Sequence, residues 1–269
     1  MYPRLFQFGP FTLPTYGVCM AIALVAALFL VLHAARRLRM QPERMWNLSM
    51  LIIFTMLLGS KLLLIVSNVR DFLHYPLLIL SLSTARSWSA MLGGFLLALI
   101  AGLLYVWTKK MPLLRTLDAV APALALGGAI ASLGAFAAGS GYGSPTALPW
   151  GVVYNNRWAA YWYGTPLGVR LHPVQLYEAA IAGGLCLLLL WLLPRHRQDG
   201  EVMGAGLFLY GIAMFWLQFL SDQQVHVFLN GGTFSILQGI AFVMVIAGAL
   251  LWLERGTLAG TLRNGQNGI

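Results

Sequence analysis

The sequence predicts an all-α polytopic membrane protein: about seven transmembrane helices, with a small periplasmic head between the fourth and fifth. Three observations predict it. Only 9% of the 269 residues are charged, against about 25% in an average soluble domain. Hydrophobic residues make up 59% and the mean hydropathy is +0.76. The apolar residues fall in runs near the roughly 20 that a helix needs to cross a bilayer, with Arg and Lys in the short loops between them. The net charge of +9 therefore reads as an orientation signal, and a nucleic-acid groove is excluded. Cys19 and Cys186 lie in separate runs and read as small buried hydrophobes, not as a disulfide or metal pair. The first residues lack the charged start and small-residue cleavage site of a removable leader.

The elements follow in order. In residues 1–14, Phe6, Phe8 and Phe11 suggest an amphipathic strand or an interfacial segment. The first span covers about Leu13 to Ala34, and Arg36, Arg37, Arg39 and Arg44 follow it. The second, about Trp46 to Val66, is interrupted by Lys61. A mixed loop, 68–88, includes a stretch, Tyr75–Leu82, that suits the membrane interface. The third span is about Ala90 to Thr108 and the fourth about Leu114 to Ala138. Residues 139–171, rich in Gly, Pro, Tyr and Trp, suit a head of turns and short strands. The fifth span is about Val174 to Leu193, the sixth Val202 to Leu220 and the seventh Phe234 to Leu253. The whole reads as one integral membrane domain with a polar, mobile tail at 254–269.

Seven spans place the termini on opposite sides. Eleven of the 17 Lys and Arg lie in the loops after spans one, three and five and in the tail; five lie on the other side and Lys61 lies in the membrane. Cytoplasmic loops carry the excess. The N-terminus and head are thus expected in the periplasm and the tail in the cytoplasm. Trp46, Trp88, Trp107, Trp191 and Trp252 fall near span ends as an interfacial belt. His33, His74 and His226 read as interfacial polar residues, and the methionines as gap-filling side chains.

Two stretches carry candidate chemistry. Gly127–Gly151 runs from small residues, which let membrane helices approach closely, into the glycine-rich GSGYGSP. A helix-to-loop junction at membrane depth is tolerated only against protein or a wet cavity. It is either a substrate-facing site or a packing face with an exit loop. The second stretch is His172-Pro173-Val174-Gln175-Leu176-Tyr177-Glu178. Pro173 suits a first helical turn. Helical spacing puts His172 and Gln175 on one face with Glu178 a turn deeper. Glu178 reads as the only acidic residue well inside an apolar span, so it must be protonated, paired or wet. It belongs either to a polar site or to a structural cluster tying helix to head. Lys61 either snorkels or faces the cavity.

HPVQLYE together with GSGYGSPTALPWGVVY resembles the prolipoprotein diacylglyceryl transferase family. Leu13-Pro14-Thr15-Tyr16-Gly17, Leu209-Tyr210-Gly211, Ser235 and Gln238 match as well, in order along the chain. The resemblance implies a bacterial inner-membrane enzyme without metal or soluble cofactor. Its partners are phosphatidylglycerol, membrane lipids and a prolipoprotein signal segment with a lipobox cysteine. It implies catalytic roles for His172 and Tyr16. Lipid-site positions are implied at Lys61, Ser132, Gly134, Gly139, Ser140, Gln175, Tyr177, Glu178, Met214 and Gln218.

Such a transfer needs a thiolate and donors that hold a leaving phosphate in a dry site. This chain departs from the family where those donors stand. The Arg-Ile-Gly-Asn-Phe type segment reads Ser132-Leu133-Gly134-Ala135-Phe136. Ser140 replaces an acid, Leu92 precedes Gly93-Gly94, and Lys61 stands where Arg is usual. Arg and Glu positions read Met214 and Gln218, and a further basic position reads Ser221. Losing both partners of an ion pair avoids stranding one charge, so the changes look coordinated. Three readings stand: a transferase with a shifted phosphate grip; an impaired relative that binds phospholipid or a signal segment; a transport or assembly protein on the same scaffold.

Overall fold

The computed structural model describes residues 3–8, 11–70, 88–221 and 235–266. Two strands open the chain, β1 Arg4–Phe8 and β2 Phe11–Pro14, paired antiparallel. The alternating phenylalanines thus form a hairpin, and its end is tied back where Thr15 N–H donates to Pro3 O at 3.0 Å. Helices α1 Thr15–Arg37, α2 Pro42–Ser67, α3 Trp88–Thr108 and α4 Leu113–Ala138 follow. The head segment contains β3 Val152–Val153, α5 Arg157–Tyr163 and β4 Arg170–Leu171. Then come α6 Val174–Leu192, α7 Glu201–Leu217, a 3-10 turn Gln218–Leu220, and α8 Ile236–Gln266.

Six of these helices are long and apolar enough to span a membrane, and Leu, Phe and Trp side chains are exposed along them. This is a multi-pass, all-α membrane protein. The expected seventh run starts at Phe234, outside the described residues; its described apolar part, Ile236–Trp252, is shorter. At 1.5 Å per residue those 17 residues still rise about 26 Å. The tail differs from expectation: α8 continues as helix through Gln266, and no proline interrupts it. The stretch Tyr75–Leu82 and residues Arg86, His74 and His226 lie outside the described residues.

The chain forms two compact units, Arg39–Thr116 and the remainder. In the first, α2 and α3 pack through Gly59 and Gly94; a Cβ on Gly94 would meet Met56 O at 2.6 Å and Ser60 N at 2.8 Å. Ser60 is occupied locally, its hydroxyl donating to Met56 O at 2.7 Å. Lys61 belongs to this unit. In the second unit, α7 and α8 approach through Gly204, Gly211 and Gly248. A Cβ on Gly248 would lie 2.7 Å from Gly204 O, and one on Gly211 2.8 Å from Ala241 O. Small residues allow this backbone proximity in membranes. Both free cysteines sit in this unit, on separate helices as expected.

Candidate functional site: the junction of α4, the head and α6

The glycine-rich stretch begins where α4 stops, and the stop has a defined geometry. Gly139 takes φ +81°, a conformation that favours glycine. Gly139 N–H donates to Phe136 O at 3.1 Å and Ser140 N–H to Ala135 O at 2.9 Å. These are the two reversed bonds of a Schellman motif. The turn leaves Ser140 O directed at α6, where Gln175 Nε2 donates to it at 2.7 Å.

Gln175 is 1% exposed and also donates to Tyr154 OH at 3.1 Å. Tyr142, Tyr154 and Leu171 form the small core of the head. Burial raises the Tyr154 phenol above its ordinary value near 10, and the Gln175 bond opposes this in part. Thr165, also buried, donates to Gly139 O at 2.6 Å. Asn156 Oδ1 caps α5 by accepting from Trp158 N–H at 2.9 Å. The head is thus fastened to both α4 and α6 by buried polar groups.

Glu178 lies one turn beyond Gln175. Its Oε2 accepts from the Ser132 hydroxyl at 3.2 Å. Its carboxyl is within electrostatic reach of Tyr16 on α1 and Tyr210 on α7. Tyr16 in turn interacts with Tyr163 at the end of α5. Four membrane helices and the head therefore contribute to one polar cluster. Tyr210 is a landmark in the sequence but had no assigned role; its place beside Glu178 depends on tertiary packing.

His172 does not share the Glu178 face. The helix begins only at Val174, whose N–H donates to His172 O at 2.9 Å, so a tight turn at Pro173 leaves His172 out of helical register. Its ring instead meets Tyr177, with centroids 6.4 Å apart, and Tyr177 OH accepts from Trp150 Nε1 at 2.8 Å. Gly143 N–H donates to His172 O at 3.0 Å, and Ser144 N–H to Leu220 O at 2.8 Å. The glycine-rich loop thus threads between the start of α6 and the end of α7. Gln218, 8% exposed, closes that end. Among the described residues, His172 Nδ1, Gln175 Oε1 and Gln218 Nε2 are buried without a hydrogen-bond partner.

The other expected site residues divide. Ser132 joins the cluster, whereas the Ser140 hydroxyl turns back to Ala135 O at 3.5 Å. Gly134 has a packing role against Cys19, where a Cβ would come 3.2 Å from Sγ. Met214 and Ala135 are half-buried and bring no charged side chain. Lys61 lies in the other compact unit.

One buried acid was missed. Asp118 sits within the fourth span yet is 0% exposed. It accepts from Gly200 N–H at 2.6 Å and Met203 N–H at 2.8 Å, capping α7 from a different helix. Gly200 leaves no side chain to do so. His196 and Asp199 lie beside it, with potential ligand atoms within 4.8 Å of one another. Both Asp118 oxygens are engaged by amides, the chemistry of a helix cap. This place is 14 residues from Ser132, about 21 Å along α4.

The landmark motifs and this head-and-helix junction converge with the sequence comparisons. Residues 3–254 match the family model described as prolipoprotein diacylglyceryl transferase. The chain belongs to the prolipoprotein diacylglyceryl transferase family. It is 29% identical over 221 residues to the phosphatidylglycerol–prolipoprotein diacylglyceryl transferase of Clostridium tetani, covering 82% of this chain and 85% of that one. It is 28% identical to the protein so named in Geobacter sulfurreducens, over 91% and 92% of the two chains. A third relative of that name, from Aliivibrio salmonicida, is 29% identical over 97% and 91%.

Proposed function

We propose that this protein transfers the diacylglyceryl group of a membrane phospholipid to the lipobox cysteine thiol of a prolipoprotein. Phosphatidylglycerol, in the names of its relatives, is carried over as a donor. The cysteine sulfur attacks the glycerol carbon that bears the phosphate. A thioether C–S bond forms, the C–O bond breaks, and glycerol phosphate leaves with the bonding pair. His172 accepts the thiol proton and Tyr16 donates to the departing phosphate. Gln175, Tyr177 and Gly139 hold the head over the junction, and Ser132, Gly134, Ser140, Glu178, Met214 and Gln218 form the lipid site. The site operates in the bacterial cytoplasmic membrane, with the N-terminus and head in the periplasm and the C-terminus in the cytoplasm.

The observation that carries this reading is the cluster of Tyr16, Ser132, Glu178 and Tyr210 beneath a head clamped to α4 and α6. Purified protein is incubated with a lipobox peptide and a phospholipid mixture containing phosphatidylglycerol, and thioether-lipidated peptide is sought by mass spectrometry. Turnover that falls in His172→Ala is expected. Lipid bound without any lipidated peptide, in a preparation where a homologous transferase turns over, refutes the proposal and leaves a lipid-binding protein.

A further inference from the structure

The unit Arg39–Thr116 carries a charged surface that the proposed transfer does not use. Two turns meet there, one leading into α2 and one joining α3 to α4. They are tied where Arg44 Nη1 donates to Lys109 O at 3.0 Å. Met45, Val106 and Met111 are buried in the same segments, so the turns rest on packed helix ends.

The backbone of both turns places a cation against its own preference. The end of α3 shows the two reversed bonds of a Schellman motif: Lys110 N–H donates to Trp107 O at 3.1 Å and Met111 N–H to Val106 O at 2.9 Å. Its left-handed position, where glycine is usual, is Lys110 at φ +51°. Arg39, just past α1, takes φ +55°. Among the described residues these are the two positive-φ positions that are not glycine, and a Cβ disfavours that conformation.

The charge there is unbalanced. Arg39, Arg44, Lys109 and Lys110 are exposed, and Glu43 is the one acid among the described residues of this unit. Arg44 is engaged by the α3 carbonyl, whereas among the described residues Arg39, Lys109 and Lys110 have no ion-pair partner. Trp107, 78% exposed, stands two residues before Lys109, and Trp46, 43% exposed, two residues after Arg44. Tryptophan is a side chain of the bilayer interface. Exposed rings beside the cations set them at the level of lipid phosphates and favour a bilayer over a soluble polyanion.

We propose that this surface binds the anionic headgroups of a phospholipid leaflet, with Arg39, Lys109 and Lys110 on their phosphates. It lies in the loops whose Lys and Arg excess predicts the cytoplasmic side. It is distinct from the Tyr16–Glu178 cluster, whose residues belong to the other unit, and it does not depend on the transfer reading. It also goes beyond orientation, which needs net charge in a loop but no particular position for it. Each cation near an anionic surface contributes about fivefold to binding, so three compound to on the order of a hundredfold.

The full chain in detergent is titrated with cardiolipin or phosphatidylcholine, and bound lipid is counted by native mass spectrometry. Wild type is expected to hold cardiolipin on the order of a hundredfold more tightly. The triple variant Arg39→Gln, Lys109→Gln, Lys110→Gln is expected to lose at least about tenfold of that preference. If it does not fold, Lys110→Gly decides, because glycine suits φ +51° while the lost cation should cost about fivefold. Removing two exposed cations of the head, Arg157→Gln with Arg170→Gln, should leave the preference intact. Wild type that binds both lipids alike overturns the proposal, as does an unchanged preference in the folded turn variants. An equal loss in the head variant overturns it too, because net charge alone would then attract the lipid.

Discussion

Gly143 is the position at which the smallest perturbation should disturb the most. A Cβ built there lies 2.6 Å from Leu220 O, 2.6 Å from Val174 Cγ2 and 2.7 Å from His172 Cβ. Ordinary contact needs about 3.4 Å or more, so each neighbour must retreat by roughly 0.7–0.8 Å. Leu220 O cannot retreat freely because it accepts from Ser144 N–H at 2.8 Å and from the Ser144 hydroxyl at 3.3 Å. His172 is held by reciprocal backbone bonds with Gly143 and Ser144, at 3.0 Å each. Overpacking typically costs about 1–3 kcal/mol, and three simultaneous contacts place Gly143→Ala near the upper figure. A shift of this size at His172 should also lower transfer by about a hundredfold, the usual effect of a 1 Å misplacement.

The assay is thermal unfolding in detergent with lipid transfer measured in parallel. At roughly 2–4 °C per kcal/mol for a chain of this size, the variant should melt about 6–12 °C below wild type. Gly183→Ala is the control, because a Cβ there meets nothing within 4 Å and alanine gains up to about 1 kcal/mol in a helix interior. A Gly143→Ala protein that melts within 1 °C of wild type and retains full transfer refutes the close-packed junction.

Three further outcomes are expected. Asp118→Ala removes the acceptor of two α7 amides and should cost roughly 2–4 kcal/mol, with faster hydrogen exchange at Gly200 and Met203; unchanged exchange there contradicts the cap. The raised Tyr154 phenol contributes stability that is fully present below its unfolded value near pH 10 and is lost as pH rises through the higher folded value. Tyr154→Phe should flatten this alkaline loss in melting curves and lower stability at neutral pH by about 1 kcal/mol; an undiminished alkaline loss shows another group is responsible. Arg4→Ala and Trp158→Leu should couple in a double-mutant cycle by about 0.5–1 kcal/mol, the value of an exposed cation–π pair. Additive effects on protease resistance of the hairpin would remove that contact from the account.

The spans were legible because each needs an apolar run, and a run is a property of consecutive residues. The boundaries of α4 and α6 fall within one residue of expectation for that reason. The stop at Gly139 was legible too, since few residues other than glycine suit its φ of +81°. The partners of Glu178 were not. Ser132 stands 46 positions away, and Tyr16 and Tyr210 arrive from α1 and α7. Helical spacing alone misplaced His172, because it assumed a helix that begins only at Val174. Asp118 escaped notice for the complementary reason. The donors to its carboxylate are backbone amides, which every sequence possesses and no residue letter announces.

The departures from the family pattern acquire a physical reason from these contacts. Ser132 does more than delete a cation, because its hydroxyl satisfies one oxygen of Glu178. The remaining polar atoms are not satisfied in the same way. His172 Nδ1, Gln175 Oε1 and Gln218 Nε2 lie buried without a hydrogen-bond partner among the described residues. Gln175 is nonetheless kept for its other end, since an apolar side chain there would lose the bonds to Ser140 O and Tyr154 OH that fasten the head.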